Sequence, residues 1–145
     1  MFVWGRNSSG QCDGDPDLVK YYNSPVVIPE LIDKDIENVC AYKNYTVCYD
    51  KKGNVYEWGA NIMDVTKIEP KFKIENGIKS LGIGNGFKCA LDKKGDVFAW
   101  GNLKDYEGDK IISSEKPKKI NESDEKMIKL SVGYDHILCT NKKNF

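Results

Sequence analysis

The chain has 145 residues, of which 40% are hydrophobic and 11% aromatic, enough apolar content for a packed core and too much for a disordered segment. Its length is one domain's worth. Its 22 basic and 22 acidic side chains cancel, which removes the electrostatic footprint expected of a nucleic-acid or anionic-membrane binder.

Phe2, Val3 and Trp4 read as a short strand that Gly5 ends. Arg6 to Asp15 is a polar, glycine-bearing loop, and Pro16 to Tyr22 reads as loop or a short helical turn. Ser24 to Ile32 is apolar but carries Pro25 and Pro29, so it is expected to be an edge strand or an extended connector. Ile36 to Asp50 splits near Lys43–Asn44 into two strands, with Tyr45, Val47 and Tyr49 at a period of two. The turn Asp50-Lys51-Lys52-Gly53 leads into VYEWG, Val55 to Gly59, and a linker with Pro70 and Phe72 follows. Ile78 to Asp92, a turn at Gly95 and VFAWG, Val97 to Gly101, repeat the arrangement, and a second linker carries Pro117 and Ile120. Met127 to Asn141 opens a third copy, and NKKN, Asn141 to Asn144, repeats the head of the turn.

An internal repeat therefore sets the fold: DKKGNVYEWG at Asp50 to Gly59 returns as DKKGDVFAWG at Asp92 to Gly101. The expected organisation is one repeat domain, 1–145, made of a partial copy 1–35, repeats 36–77 and 78–126, and a partial repeat 127–145. Short strands with regular turn signals and no amphipathic helix predict an all-β chain, a partial β-propeller of about three blade-like repeats of antiparallel strands. The structural positions of the repeat are Trp4, Gly5, Gly53, Trp58, Gly59, Gly84, Gly95, Trp100, Gly101, Gly133 and His136. One tryptophan per copy at a fixed place predicts three largely buried indoles.

Motifs for chemistry are lacking. The five cysteines form no C-x-x-C pair, and Cys48 and Cys139 align with Ala90 as small apolar strand residues. GIGNG, Gly82 to Gly86, lacks the Lys-Ser/Thr ending of a phosphate loop and reads as a turn between strands. His136, the single histidine, has no local nucleophile pair and reads as a hydrogen-bonding residue at a strand start. Asp13, Asp15 and Asp17 alternate, but Pro16 and Leu18 break the order of a calcium loop. No catalytic, cofactor-binding or metal-binding residue is expected. No apolar run approaches a membrane span and no signal peptide is visible, so an intracellular chain, cytoplasmic or nuclear, is expected.

The order strand, G-x-x-H, small-apolar strand, D-x-x-G turn, V-aromatic-x-W-G and N-x-x-G-Q loop resembles the regulator of chromosome condensation repeat. The matching residues are Val55 to Gly59, Val97 to Gly101, Trp4 to Gln11 (WGRNSSGQ) and Gly133 to Cys139 (GYDHILC). The chain departs from the pattern where Tyr42 replaces the repeat glycine and where Tyr45 and Phe87 replace the histidine. The resemblance implies a protein-interaction module, part of a longer propeller, whose partner is a protein; a guanine-nucleotide exchange factor for a Ran-like small GTPase, or a targeting module of a larger ubiquitin ligase, are the alternatives. It also implies that the residues just after the repeat glycine face a partner: Lys43 and Asn44, Asn85 and Gly86, Tyr134 and Asp135. Propellers close with roughly 4–8 blades, so the chain is expected to belong to a longer propeller or, failing that, to self-associate head to tail through its sheet edges.

Overall fold

A computed structural model describes residues 1–15, 17, 19–59, 68–104, 107–121 and 125–142. Pro16, Leu18, the start of the first linker and the end of the NKKN turn lie outside the described residues. The chain divides into two compact units, Met1–Lys73 and Ile74–Phe145.

The first unit opens with β1 (Phe2–Arg6) and β2 (Tyr21–Val27), which form a two-stranded antiparallel sheet. The ladder slips between Val3 and Gly5, and Pro25 lies opposite that slip, where a missing N–H costs no bond. A short 3-10 turn, Pro29–Leu31, follows. β3 (Ile36–Tyr42), β4 (Tyr45–Asp50), β5 (Asn54–Gly59) and β6 (Pro70–Lys73) then form a four-stranded antiparallel meander. The core joins Ile28, Leu31, Cys48, Tyr56, Trp58 and Ile68.

In the second unit β7 (Ile78–Ile83), β8 (Phe87–Asp92), β9 (Val97–Lys104) and β10 (Lys110–Lys119) repeat the four-stranded meander. β11 (Met127–Val132) and β12 (Ile137–Asn141) form a two-stranded sheet beside it. Met127, Leu130, Val132 and Ile137 pack against Phe87, Cys89, Leu91, Val97 and Ala99.

The repeated turn is built around a buried carboxylate. Asp50 Oδ1 accepts the amides of Lys52 and Asn54, and Asp92 Oδ1 those of Lys94 and Asp96, an Asx-type clasp of each hairpin. Gly53 and Gly95 take φ of 85° and 89° in these turns.

Three expectations need correction. The two linkers are strands: Pro70 and Phe72 lie in β6, Pro117 in β10. Both are outer strands, paired with one strand among the described residues, where proline is tolerated, and Pro117 sits in a ladder irregularity between Ser114 and Lys118. Trp58 and Trp100 are 0% and 1% exposed, as expected, but Trp4 is 63% exposed. Trp58 and Trp100 stand on strands paired at both edges, whereas among the described residues β1 pairs with β2 alone. Cys139 is likewise exposed, on β12, which among the described residues pairs only with β11, while Cys48 and Ala90 are fully buried.

Candidate functional site

The six candidate partner residues occupy equivalent turns, each joining the first two strands of its sheet: Lys43–Asn44 between β3 and β4, Asn85–Gly86 between β7 and β8, Tyr134–Asp135 between β11 and β12. All six are exposed. Lys43 adopts a left-handed φ of 50° and its ammonium lies 5.3 Å from the Tyr42 ring centre. In the second unit the Asn85 amide donates to the Tyr134 carbonyl at 2.6 Å, so these two turns form one continuous surface.

The glycine after each buried tryptophan fixes the turn beside it. Gly59 and Gly101 have φ of 91° and 100°, and a Cβ there would lie 2.3 Å from the Asn44 carbonyl oxygen and 2.4 Å from that of Gly86. The W-G pair thus combines a core anchor with a position where backbone can approach backbone. The Asn102 amide completes the contact by donating to Gly86 O at 2.7 Å.

The residue three places after the repeat glycine closes the turn from above. The Phe87 ring lies over Gly84, and the His136 ring over Gly133, where a Cβ would come within 2.2 Å and 2.3 Å. His136 Nδ1 also lies 3.2 Å from Asp135 Oδ1. In the first unit Tyr42 fills the glycine position, and Tyr45 instead donates its hydroxyl to Glu57 Oε2 at 2.7 Å. Burial, with the Glu57 charge and hydrogen bond added, pushes the Tyr45 pKa up.

The N-x-x-G-Q loop is organised by Asn7, which is fully buried. Its Nδ2 donates to Asp13 Oδ1, Asp15 O and Val19 O, and its Oδ1 accepts the Cys12 amide. Asp13 and Asp15 spend their carboxylates inside this loop, on the amides of Asp15 and Asp17 and on the Tyr22 hydroxyl. The hydrogen bond to Asp13 and burial push the Tyr22 pKa up to about 12. The Gln11 carbonyl accepts both Thr46 Oγ1 and Trp58 Nε1, at 2.7 and 3.0 Å, which seats the loop on the four-stranded sheet.

One groove lies beside the Lys43–Asn44 turn. It has a volume of about 570 Å³ and is lined by Phe2, Trp4, Val39, Ala41, Lys43 and Asn44 among others. The sequence did not single out Phe2, and it assigned Trp4 to the core. Among the described residues no group of three or more His, Cys, Asp or Glu is placed to hold a metal ion. Burial raises the thiol pKa of Cys48 and of Cys89 to about 12, so neither is a thiolate nucleophile near neutral pH. No helix among the described residues is long and apolar enough to cross a membrane.

Four-stranded antiparallel meanders with repeated D-x-x-G turns and W-G strand ends define blades of a β-propeller. More narrowly, the chain carries regulator of chromosome condensation repeats. It is 31% identical to Protein RCC1 of Candida albicans, over 83% of this chain and 32% of that protein. It superposes on yeast RCC1 (Prp20), solved with Kap60 bound, at a TM-score of 0.75 and 25% identity over 97% of this chain and 38% of that one. Human WBSCR16 gives a TM-score of 0.73 at 17% identity, over 98% and 40% of the respective chains. Prp20p from Saccharomyces cerevisiae, described with its binding to Gsp1p and histones, gives 0.74 at 23% identity, over 97% and 39%. No family model matches the chain. The chain spans about a third of the length of the curated relative it matches.

Proposed function

We propose that the chain is a protein-interaction module that binds through the turns joining the first two strands of each sheet. The observation that supports this most directly is the repeated construction of those turns. Each is exposed, and in the two four-stranded sheets a W-G glycine holds the turn backbone against the next strand. Rigid strands that present a set of exposed turns suit recognition better than bond-making chemistry. Lys43 and Asp135 are the charged members of the set. An intracellular setting, cytoplasmic or nuclear, belongs to the same proposal.

The partners named for the yeast proteins, Gsp1p, histones and Kap60, are the first candidates to test. Titration of each against the chain by calorimetry should give saturable binding to at least one. Lys43→Glu with Asp135→Lys should then weaken it about tenfold, roughly 1.4 kcal/mol, with the melting temperature unchanged. Absence of binding to all three, or unchanged affinity in the double variant, counts against these turns.

The narrower alternative is a guanine-nucleotide exchange factor for a Ran-like small GTPase, favoured by the likeness to Protein RCC1. It would act by displacing nucleotide through protein contact, with no covalent step. Release of labelled GDP from a panel of small GTPases, with and without the chain, separates exchange from binding alone.

A further inference from the structure

Asparagine followed by glycine occurs twice in the chain, at Asn76–Gly77 and at Asn85–Gly86. The pair carries its own chemistry, and asparagine is among the thermolabile residues. The backbone nitrogen of the second residue can attack Cγ of the asparagine side chain and close a succinimide ring. A side chain on the second residue crowds that approach, and glycine has none. The attacking nitrogen belongs to an amide whose lone pair is delocalised into its carbonyl. It therefore attacks after losing its proton, and mild base speeds the reaction.

The fold holds the first of these pairs shut. Gly77 is buried, and its N–H donates to the Ile74 carbonyl at 3.0 Å, so the would-be nucleophile is engaged and shielded from base. The Asn76 side chain is tied as well, its Nδ2 donating to Asp92 Oδ2 at 2.9 Å. Asp92 is fully buried and is the carboxylate that clasps its hairpin turn. Ring closure at Asn76 would have to pull away from that clasp.

The second pair sits in the turn between β7 and β8, where Asn85 and Gly86 are both exposed. Gly86 is held through its carbonyl, which accepts the Asn102 amide at 2.7 Å. Asn85 is held through its own N–H, which donates to the Tyr134 carbonyl at 2.6 Å. Neither bond occupies the Gly86 nitrogen. Gly84 precedes Asn85, so the asparagine has a glycine on either side. The equivalent turns lack the pair: Asn44 is followed by Tyr45, and the third turn reads Tyr134–Asp135.

We propose that Asn85 is a self-modification site at which the folded turn converts asparagine to aspartate and isoaspartate. Gly86 N gives its proton to base and bonds to Asn85 Cγ. The Cγ–Nδ2 bond breaks, and ammonia leaves with a proton returned from solvent. Water then opens the ring. Cleavage between Cγ and the ring nitrogen gives aspartate, and cleavage between the main-chain carbonyl carbon and the ring nitrogen gives isoaspartate. No oxidant or cofactor enters. Either product adds a carboxylate to the turn that is bonded to the Tyr134–Asp135 turn. Isoaspartate also routes the main chain through the side-chain carbon, which lengthens a turn closed by the Gly84 N–H to Phe87 carbonyl bond at 2.9 Å. The ligand class for that isomer is a carboxyl methyltransferase specific for isoaspartate. The reaction needs no partner, so it stands whether or not these turns bind one.

The test incubates the folded 145-residue chain in mildly alkaline buffer and follows both asparagines by peptide mass spectrometry. Isoaspartate is counted separately, by methyl transfer from labelled S-adenosylmethionine with an isoaspartyl methyltransferase. Asn76 can react only through local opening, so Asn85 should convert at least about tenfold faster. In denaturant, where the bonds to Ile74 and Asp92 are gone, the two rates should converge. Asn85→Gln should remove the isoaspartate signal from the folded chain. Equal rates at the two sites in the folded chain, a folded chain that leaves Asn85 intact while the denatured chain converts it, or an isoaspartate signal that survives Asn85→Gln would each overturn the proposal.

Discussion

Trp58 and Trp4 occupy the same place in the repeat but opposite environments, and truncating each to alanine separates repeat identity from burial. Trp58 is fully buried, packs with Ile28, Leu31, Cys48 and Tyr56, and donates its indole N–H to the Gln11 carbonyl at 3.0 Å. Trp58→Ala should cost about 3–5 kcal/mol through lost packing and the cavity left behind. The hydrogen bond is the smaller part. Trp58→Phe removes the donor, but Gln11 O keeps Thr46 Oγ1, so no buried acceptor is stranded, and this share should be about 0.5–1.5 kcal/mol. Trp4, 63% exposed, should shift stability by no more than about 0.5 kcal/mol when replaced by alanine in dilute protein. In urea, with a slope of about 2 kcal/mol per M, Trp58→Ala lowers the midpoint by about 1.5–2.5 M and Trp4→Ala leaves it nearly in place. Circular dichroism follows the transition without relying on the deleted fluorophores. Equal costs for the two substitutions would refute the assignment of Trp58 to the core and of Trp4 to the surface.

Gly59→Ala and Gly5→Ala share a positive φ, but only the first meets backbone, so both should lose roughly 1–3 kcal/mol to strain and Gly59→Ala distinctly more; paired thermal melts check the difference. Burial alone would raise the Asp50 pKa, but hydrogen bonds from Asn54, Tyr56 and Lys52 together hold it below the ordinary value. That contribution is complete above the unfolded pKa of about 4 and is lost as pH falls through the lower folded value. Asp50→Asn should flatten this acid limb in denaturant midpoints measured from pH 6 downward, and an unchanged limb would exclude Asp50 as its source. Asn7→Ala takes the side-chain partner from the Cys12 amide and from the carbonyls of Asp15 and Val19, so stability should fall by about 1–3 kcal/mol and hydrogen exchange at Cys12 should accelerate.

The hairpins were legible because their signals are local. Asp50 and Asp92 clasp their turns within four residues, and the strands that enter them bury Val47, Cys48 and Tyr49, and Cys89, Ala90 and Leu91. Strands β6 and β10 escaped because Pro70 and Pro117 argue against a ladder wherever both edges are paired, and a sequence does not announce which edge is free. Trp4 and Cys139 were misjudged for a related reason: a repeat motif specifies a side chain's place in its own sheet, while burial depends on the strand added next to it. Asn7 was seen only as one letter of a loop motif. Its role rests on carbonyls at Asp15 and Val19, whose convergence no local pattern reveals. The candidate turns were located by their spacing from the repeat glycine, but the groove beside Lys43 depends on Phe2 and Trp4, which lie far away in sequence.

The ring that folds over Gly84 or Gly133 couples two positions, three residues apart. A larger residue in place of either glycine would collide with Phe87 or His136, and loss of the ring would uncover the glycine backbone. The first unit differs at both positions: Tyr42 stands where the others have glycine, and Tyr45 turns its hydroxyl to Glu57. A single change at either position is therefore expected to be worse tolerated than a matched change at both. The practical consequence is for transplanting turns between repeats. A graft that moves Asn85–Gly86 without Gly84 and Phe87 carries the surface and leaves its support behind.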